Sequence, residues 1–234
     1  MASRSNKRVT PGDWVSRFTR VFKPVTRRLR KGLTMSVVVL NVEEQKMYAD
    51  TAVSFGHIDC AQYKKARHYQ NGKYDVLVGG VGSPEAIDIM TAAAIRQITV
   101  CSNRDWELGS MPSVMCFGNS EDFITARDMI NSMYDKTKSS SDLLVMAKHS
   151  ETGKVYVGVM NDSALIQWDV EPVLGDSCIV IGATEVIAAW NATDRSSGMY
   201  SRLAALQRVI QFLKTPNKFT VTDIYGKTET YFAD

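Results

Sequence analysis

Hydrophobic and polar positions divide this chain into blocks of different period. Residues 36–42 read SVVVLNV, an apolar, β-branched run that predicts a buried strand. EEQK follows as a polar turn, and MYADTAVSF predicts a second strand. In NGKYDVLVGGVG, a turn leads into a buried strand and a glycine-rich bend. The pattern then changes to helical in SPEAIDIMTAAAIRQI. Ser83 stands at the N-cap position, Pro84 at the first helical position and Glu85 in the first turn. Ile124, Met129, Ile130 and Met133 supply an apolar face that predicts a helix over 120–137.

The second half repeats this grammar. Residues 141–169 predict three short strands joined by turns at ETGK and MNDS. DSCIVIG predicts another apolar strand, two helices follow at about 184–194 and 197–214 with Pro216 stopping the second, and the last 18 residues predict a hairpin. Strands in runs and helices in pairs point to two sheets faced by helices rather than to alternating βαβ units. No sequence repeat of 20–50 residues is present.

Charge adds a boundary that hydropathy alone does not show. Residues 1–33 hold ten basic residues and one acid, Asp13, so this arm carries +9 while residues 34–234 carry −6. Trp14, Phe18, Val21, Phe22 and Val25 recur at helical spacing within the arm, which predicts a short amphipathic helix ended by Pro24 and followed by RRLRKG. A cationic arm on an anionic body suits a nucleic acid, an anionic surface, or the body of this or a neighbouring copy. The expected organisation is a basic arm or prosegment at 1–33 and a single domain at 34–234.

Other classes of chemistry find little support. No apolar run approaches the ~20 residues of a membrane span, and the N-terminus lacks the apolar centre of a secretory signal. A cytoplasmic location, or a virion if the protein is viral, is therefore expected. Cys60, Cys101, Cys116 and Cys178 lie far apart, as buried thiols of a reducing compartment do, and Cys60 is placed on a loop. His57, His68 and His149 have no metal-ligand spacing, so neither metal nor cofactor is expected. GGVG lacks the following GK[ST] of a phosphate loop.

Several tracts, in order, resemble the proteasome β-subunit and its bacterial relative HslV, which are N-terminal-nucleophile hydrolases. Thr34 precedes the apolar strand, and MYAD ends at Asp50 with the family's spacing. YKKARHY supplies a basic pair, of which Lys65 aligns best with one residue deleted. VLVGGVGSPEAIDI matches the strand–glycine–helix step, and ALIQWDVEPVLGDSCIVIGATEVIAA matches the late strand and glycine turn. The resemblance spans roughly residues 34–225. It implies an α+β fold, a four-layer αββα sandwich, and assembly into rings as a homo-oligomer or with other subunits of a large assembly.

It also implies a site. Thr34 is the nucleophile, its freed α-amine the base, Lys65 the group that lowers their pKa values, and Asp50 the holder of Lys65. Backbone amides around Val81–Gly82 would stabilise an oxyanion, Gly182 belongs to the glycine turn near the nucleophile, and Ser54 lines the substrate groove. An internal start at Met35 would instead expose Ser36 as a second hydroxyl.

Three features depart from the family pattern. Leu33, not glycine, precedes Thr34, with Gly32 one further back. The family's Gly-Ser-Gly reads Gly182-Ala183-Thr184, and the second acid expected near FLKTPNKFTV is missing. In the uncut chain the nitrogen of Thr34 is an amide and cannot serve as a base. The expected function is thus a self-assembling subunit, inactive when uncut, serving as a structural component of a large assembly such as a phage virion or tail. An alternative is a threonine endopeptidase freed by loss of residues 1–33 and fed by an ATP-dependent unfoldase. Another is a nucleic-acid platform acting through the arm.

Overall fold

A computed structural model describes residues 36–55, 58–61, 64–108, 141–161, 167–168, 172, 175–211 and 219–231. All of them lie in one compact unit, Met35–Asp234. The amphipathic helix expected in the arm, Thr34, His57, Cys116, the helix expected over 120–137 and Pro216 lie outside the described residues.

In chain order the strands are β1 (Val37–Asn41), β2 (Lys46–Asp50), β3 (Ala52–Phe55), β4 (Ile58–Ala61), β5 (Ala66–Asn71) and β6 (Tyr74–Val81). Helix α1 (Pro84–Asn103) follows, then β7 (Asp142–His149), β8 (Val155–Asn161), β9 (Gln167–Trp168) and β10 (Cys178–Gly182). Helices α2 (Thr184–Asn191) and α3 (Met199–Gln211) precede β11 (Phe219–Asp223) and β12 (Thr228–Tyr231). Two five-stranded sheets result, ordered β10-β1-β2-β11-β12 and β5-β6-β7-β8-β9, with β3–β4 as a separate hairpin. Every pairing among the described strands is antiparallel. The fold is therefore mixed α+β with two antiparallel sheets.

Strand alternation distributes the apolar side chains among three clusters. Val38, Leu40, Met47, Ala49, Leu77, Val81, Leu144, Met146 and Ile181 form one cluster drawn from both sheets. Their neighbours in sequence turn the other way. Val37, Val39, Tyr48 and Cys178 pack with Val186, Trp190, Leu203 and Leu206 of α2 and α3. Val76, Val78, Leu143, Val145 and Tyr156 pack with Ile87, Met90, Ala94 and Ile98 of α1. Trp168 packs in this last cluster. The central strands are apolar on both faces, which is why VVVL and LLVMA read as continuous runs rather than alternating ones.

The paired glycines of β6 follow from the same alternation. A Cβ on Gly79 would strike Met47 Sδ and come within 2.7 Å of Val38 Cγ1, both on the other sheet. A Cβ on Gly80 would strike Ile87 of α1, at 2.5 Å from Cγ2. GGVG is thus a close-approach signal on two opposite faces. Gly79→Ala is expected to lower unfolding free energy by about 1–3 kcal/mol, since Met47 must move within a packed layer. Urea denaturation of the two proteins measures it.

Strand β5 was not predicted from the sequence, and three predicted features differ from the structure. MYADTAVSF is two strands, not one: the ladder breaks at Thr51, and Ala52–Phe55 leaves β11 to pair with β4. Cys60 lies in that β4 strand rather than on a loop. Ser83 occupies the N-cap position of α1 in extended conformation, but no side-chain cap bond forms, and its hydroxyl donates to Glu85 at 2.6 Å.

Candidate functional site

The ends of five strands meet where β1 begins. β1 pairs with β2 and β10, so Val37, Asp50 and Gly182 come to one end of the sheet, with Phe219 of β11 opposite Asp50. Lys65 precedes β5 on the other sheet. Its carbonyl accepts the Gly80 N–H at 3.1 Å, which fixes its backbone against β6. From there its side chain crosses to the first sheet.

Lys65 Nζ lies 2.6 Å from Asp50 Oδ2 and donates to Ser36 Oγ at 2.9 Å. Asp50 Oδ1 accepts the Val37 N–H at 2.7 Å. The side chains of Lys65 and Asp50 are 3% and 0% exposed, while Ser36 is half-buried. Burial pushes the Lys65 ammonium below the usual lysine value, and the neighbouring carboxylate of Asp50 opposes that shift without overcoming it. Ser36 is the least buried of the three residues.

Gly182 meets this site through its backbone. A Cβ there would stand 2.7 Å from the Ser36 carbonyl oxygen, so glycine lets β10 close against the start of β1. Val81 is buried at the end of β6. The Ala66–Gly79 register puts Val81 opposite Lys64, one strand over from the pair. Gly82, at φ +112°, is the exposed bend leading to Ser83 and α1. Ser54 is carried away in β3, with Asp59 as its register partner, and its side chain lies outside the description. The structure thus brings together Asp50, Lys65 and the backbone of Gly182, and adds Ser36, which precedes β1 and is in phase with the Val38 and Leu40 side chains of the inter-sheet cluster.

A second buried ion pair was not legible in the sequence. Arg202 of α3 donates to both carboxylate oxygens of Asp176, at 3.0 and 2.6 Å, and to Thr193 Oγ1 at 2.9 Å. Its guanidinium lies 3.7 Å from the centre of the Trp190 ring. The Arg202 guanidinium holds the Asp176 carboxyl below the usual range. Beside this pair a cleft of about 620 Å³ opens at the far end of β1, lined by Asn41, Glu44, Ser177, Met199 and Arg202. Cys178, also on this cleft, is a buried free thiol pushed up to about 12 by burial, so it stays protonated near neutrality.

Among the described residues, no group of three or more His, Cys, Asp or Glu side chains is placed to hold a metal ion. No helix among them is long and apolar enough to cross a membrane.

No family model matches the chain, and no curated protein does. Solved structures do. An Anbu Gly-1 mutant from Hyphomicrobium sp. strain MC1 matches with TM-score 0.57 at 12% identity, over 86% of this chain and 88% of that one. Anbu from the same strain matches with TM-score 0.51 at 13% identity, over 86% and 88%. Anbu, described as an ancestral beta-subunit, from Yersinia bercovieri matches with TM-score 0.52 at 11% identity, over 85% and 88%. At these identities the likeness is one of fold. It corrects the resemblance drawn from the sequence, because the matching structures named are Anbu proteins, and nothing found supports the proteasome β-subunit or HslV in particular. The tracts that suggested those families are the ones the fold itself requires: a strand ending in the buried Asp50, the crossing Lys65, and glycines at close approaches. Such tracts do not separate one branch of the fold from another.

Proposed function

We propose that this chain is a proteasome-like self-assembling subunit, built as a four-layer αββα sandwich, and that it serves as a structural component of a large homo-oligomeric particle, with a virion or tail as one setting. The order of the three apolar clusters supports the layering: helix against sheet, sheet against sheet, sheet against helix. Likeness to Anbu, one of them described as an ancestral beta-subunit, supports the assembly role.

One observation carries the structural reading of the site. The polar groups at the head of β1 are directed at each other: Asp50 takes the Val37 N–H and the Lys65 ammonium, and Lys65 also holds Ser36. In the uncut chain the nitrogens of Thr34 and Ser36 are amides, so no α-amine stands ready as a base and a peptidase cycle built on one does not run. The Asp50–Lys65 pair then acts as a clasp between the two sheets at the start of β1.

Mass photometry of the full-length protein, with a peptide-turnover assay on the same sample, tests this. A discrete particle many times the 26.0 kDa chain mass, with an N-terminal residue upstream of Thr34 and no turnover, is the expected result. A monomer at working concentration overturns the assembly role, and turnover by the uncut particle overturns the structural one.

A further inference from the structure

We infer that Ser36, held against Lys65 at the head of β1, is a nucleophilic hydroxyl that accepts an acyl or phosphonyl group in the intact chain, with Lys65 as its base. The inferred site rests on the subunit reading above and assigns its clasp a latent chemistry, a single stoichiometric transfer that needs no free α-amine.

Geometry carries it. Ser36 Oγ lies 2.9 Å from Lys65 Nζ, within proton-transfer reach, and the peptide group that follows the serine is fixed. The next residue, Val37, gives its N–H to Asp50, and the Ser36 carbonyl oxygen sits against the bare Cα of Gly182. Lys65 is buried and Ser36 is half-buried. Lysine serves as a base only when neutral, and burial moves Lys65 in that direction. A neutral Lys65 keeps one N–H donated to Asp50 Oδ2 at 2.6 Å and can turn its single lone pair to Ser36 Oγ, 2.9 Å away.

The step balances. The Ser36 Oγ–H proton passes to Lys65 Nζ as Oγ forms its bond to the electrophilic carbon or phosphorus. The bond from that atom to its leaving group breaks, and the leaving group departs with the pair of electrons, taking the proton back from Lys65 when it is basic enough. Substrates of this chemistry are acyl donors, esters or peptide carbonyls, reaching the end of the sheets.

The test is labelling of the full-length protein with a fluorophosphonate, read by intact mass and peptide mapping. One adduct, on Ser36, is expected, absent in Ser36→Ala. Lys65→Arg keeps a cation and hydrogen-bond donors but cannot give up its proton, so its labelling rate is expected to fall about 100-fold or more. No adduct, an adduct on Thr34 or elsewhere, or unchanged labelling in either variant overturns the assignment. Assembly is read separately on the same samples. A complete particle without label overturns Ser36 alone, and a labelled monomer overturns the subunit reading alone.

Discussion

Lys65→Met is expected to destabilise the fold by about 3–5 kcal/mol, because it leaves the Asp50 carboxylate buried without its counter-charge. The size follows from position. At 0% exposure Asp50 has no water beside it to replace the lost ammonium. An exposed pair such as Lys227–Glu229 contributes far less, because water screens both charges. The penalty belongs to the orphaned charge more than to the pair. The double variant Asp50→Leu/Lys65→Met should therefore recover part of the loss, since apolar groups of similar volume can replace a buried pair at little cost while the Val37 N–H loses its acceptor. Urea denaturation at matched protein concentration measures all three, the matching being needed because assembly adds concentration-dependent stability. A single variant within about 1 kcal/mol of wild type would show that water reaches Asp50.

Arg202→Met is expected to cost a similar amount, about 3–5 kcal/mol, by the same physics at the opposite end of the sheet. Arg202 and Asp176 are 5% and 8% exposed, and the variant loses a bidentate pair, the Thr193 bond and the cation over the Trp190 ring. This pair also predicts a pH dependence. Arg202 depresses Asp176 in the folded state, below its unfolded value of about 3.9. Its contribution is therefore fully present above that value and lost as pH falls through the folded pKa. The stability gap between wild type and Arg202→Met should narrow as pH falls, because protonating Asp176 first removes the unpaired buried charge in the variant and then, at lower pH, the ion pair in the wild type. A gap that stayed constant down to pH 2 would remove Asp176 as its cause.

What was legible in the sequence was local or periodic. The start of α1 showed because Ser83, Pro84 and Glu85 are adjacent, and VVVL and CIVIG showed because strands buried on both faces leave an unbroken apolar run. The break at Thr51 did not, since AD and TAVSF join without a turn residue, and only the change of partner from β11 to β4 separates them. Strand β5 was missed because ARHYQN lies at a sheet edge and carries polar, half-buried side chains. At the site, Asp50 and Lys65 were reached through the order of flanking tracts. The Lys65–Ser36 bond spans 29 residues and the Arg202–Asp176 pair 26, and neither separation leaves a periodic trace. The branch of the fold was misread for a related reason: the residues used were those that close the two sheets of this chain.

The central claim is that a clasp of Asp50, Lys65 and Ser36 joins the two sheets in an assembling subunit. A density map of the full-length particle tests it most directly. Lys65 Nζ between the Asp50 carboxylate and Ser36 Oγ, within hydrogen-bond distance of both and between two five-stranded sheets, is the predicted result. A particle whose Lys65 turns to solvent, or whose Asp50 faces another partner, would contradict it.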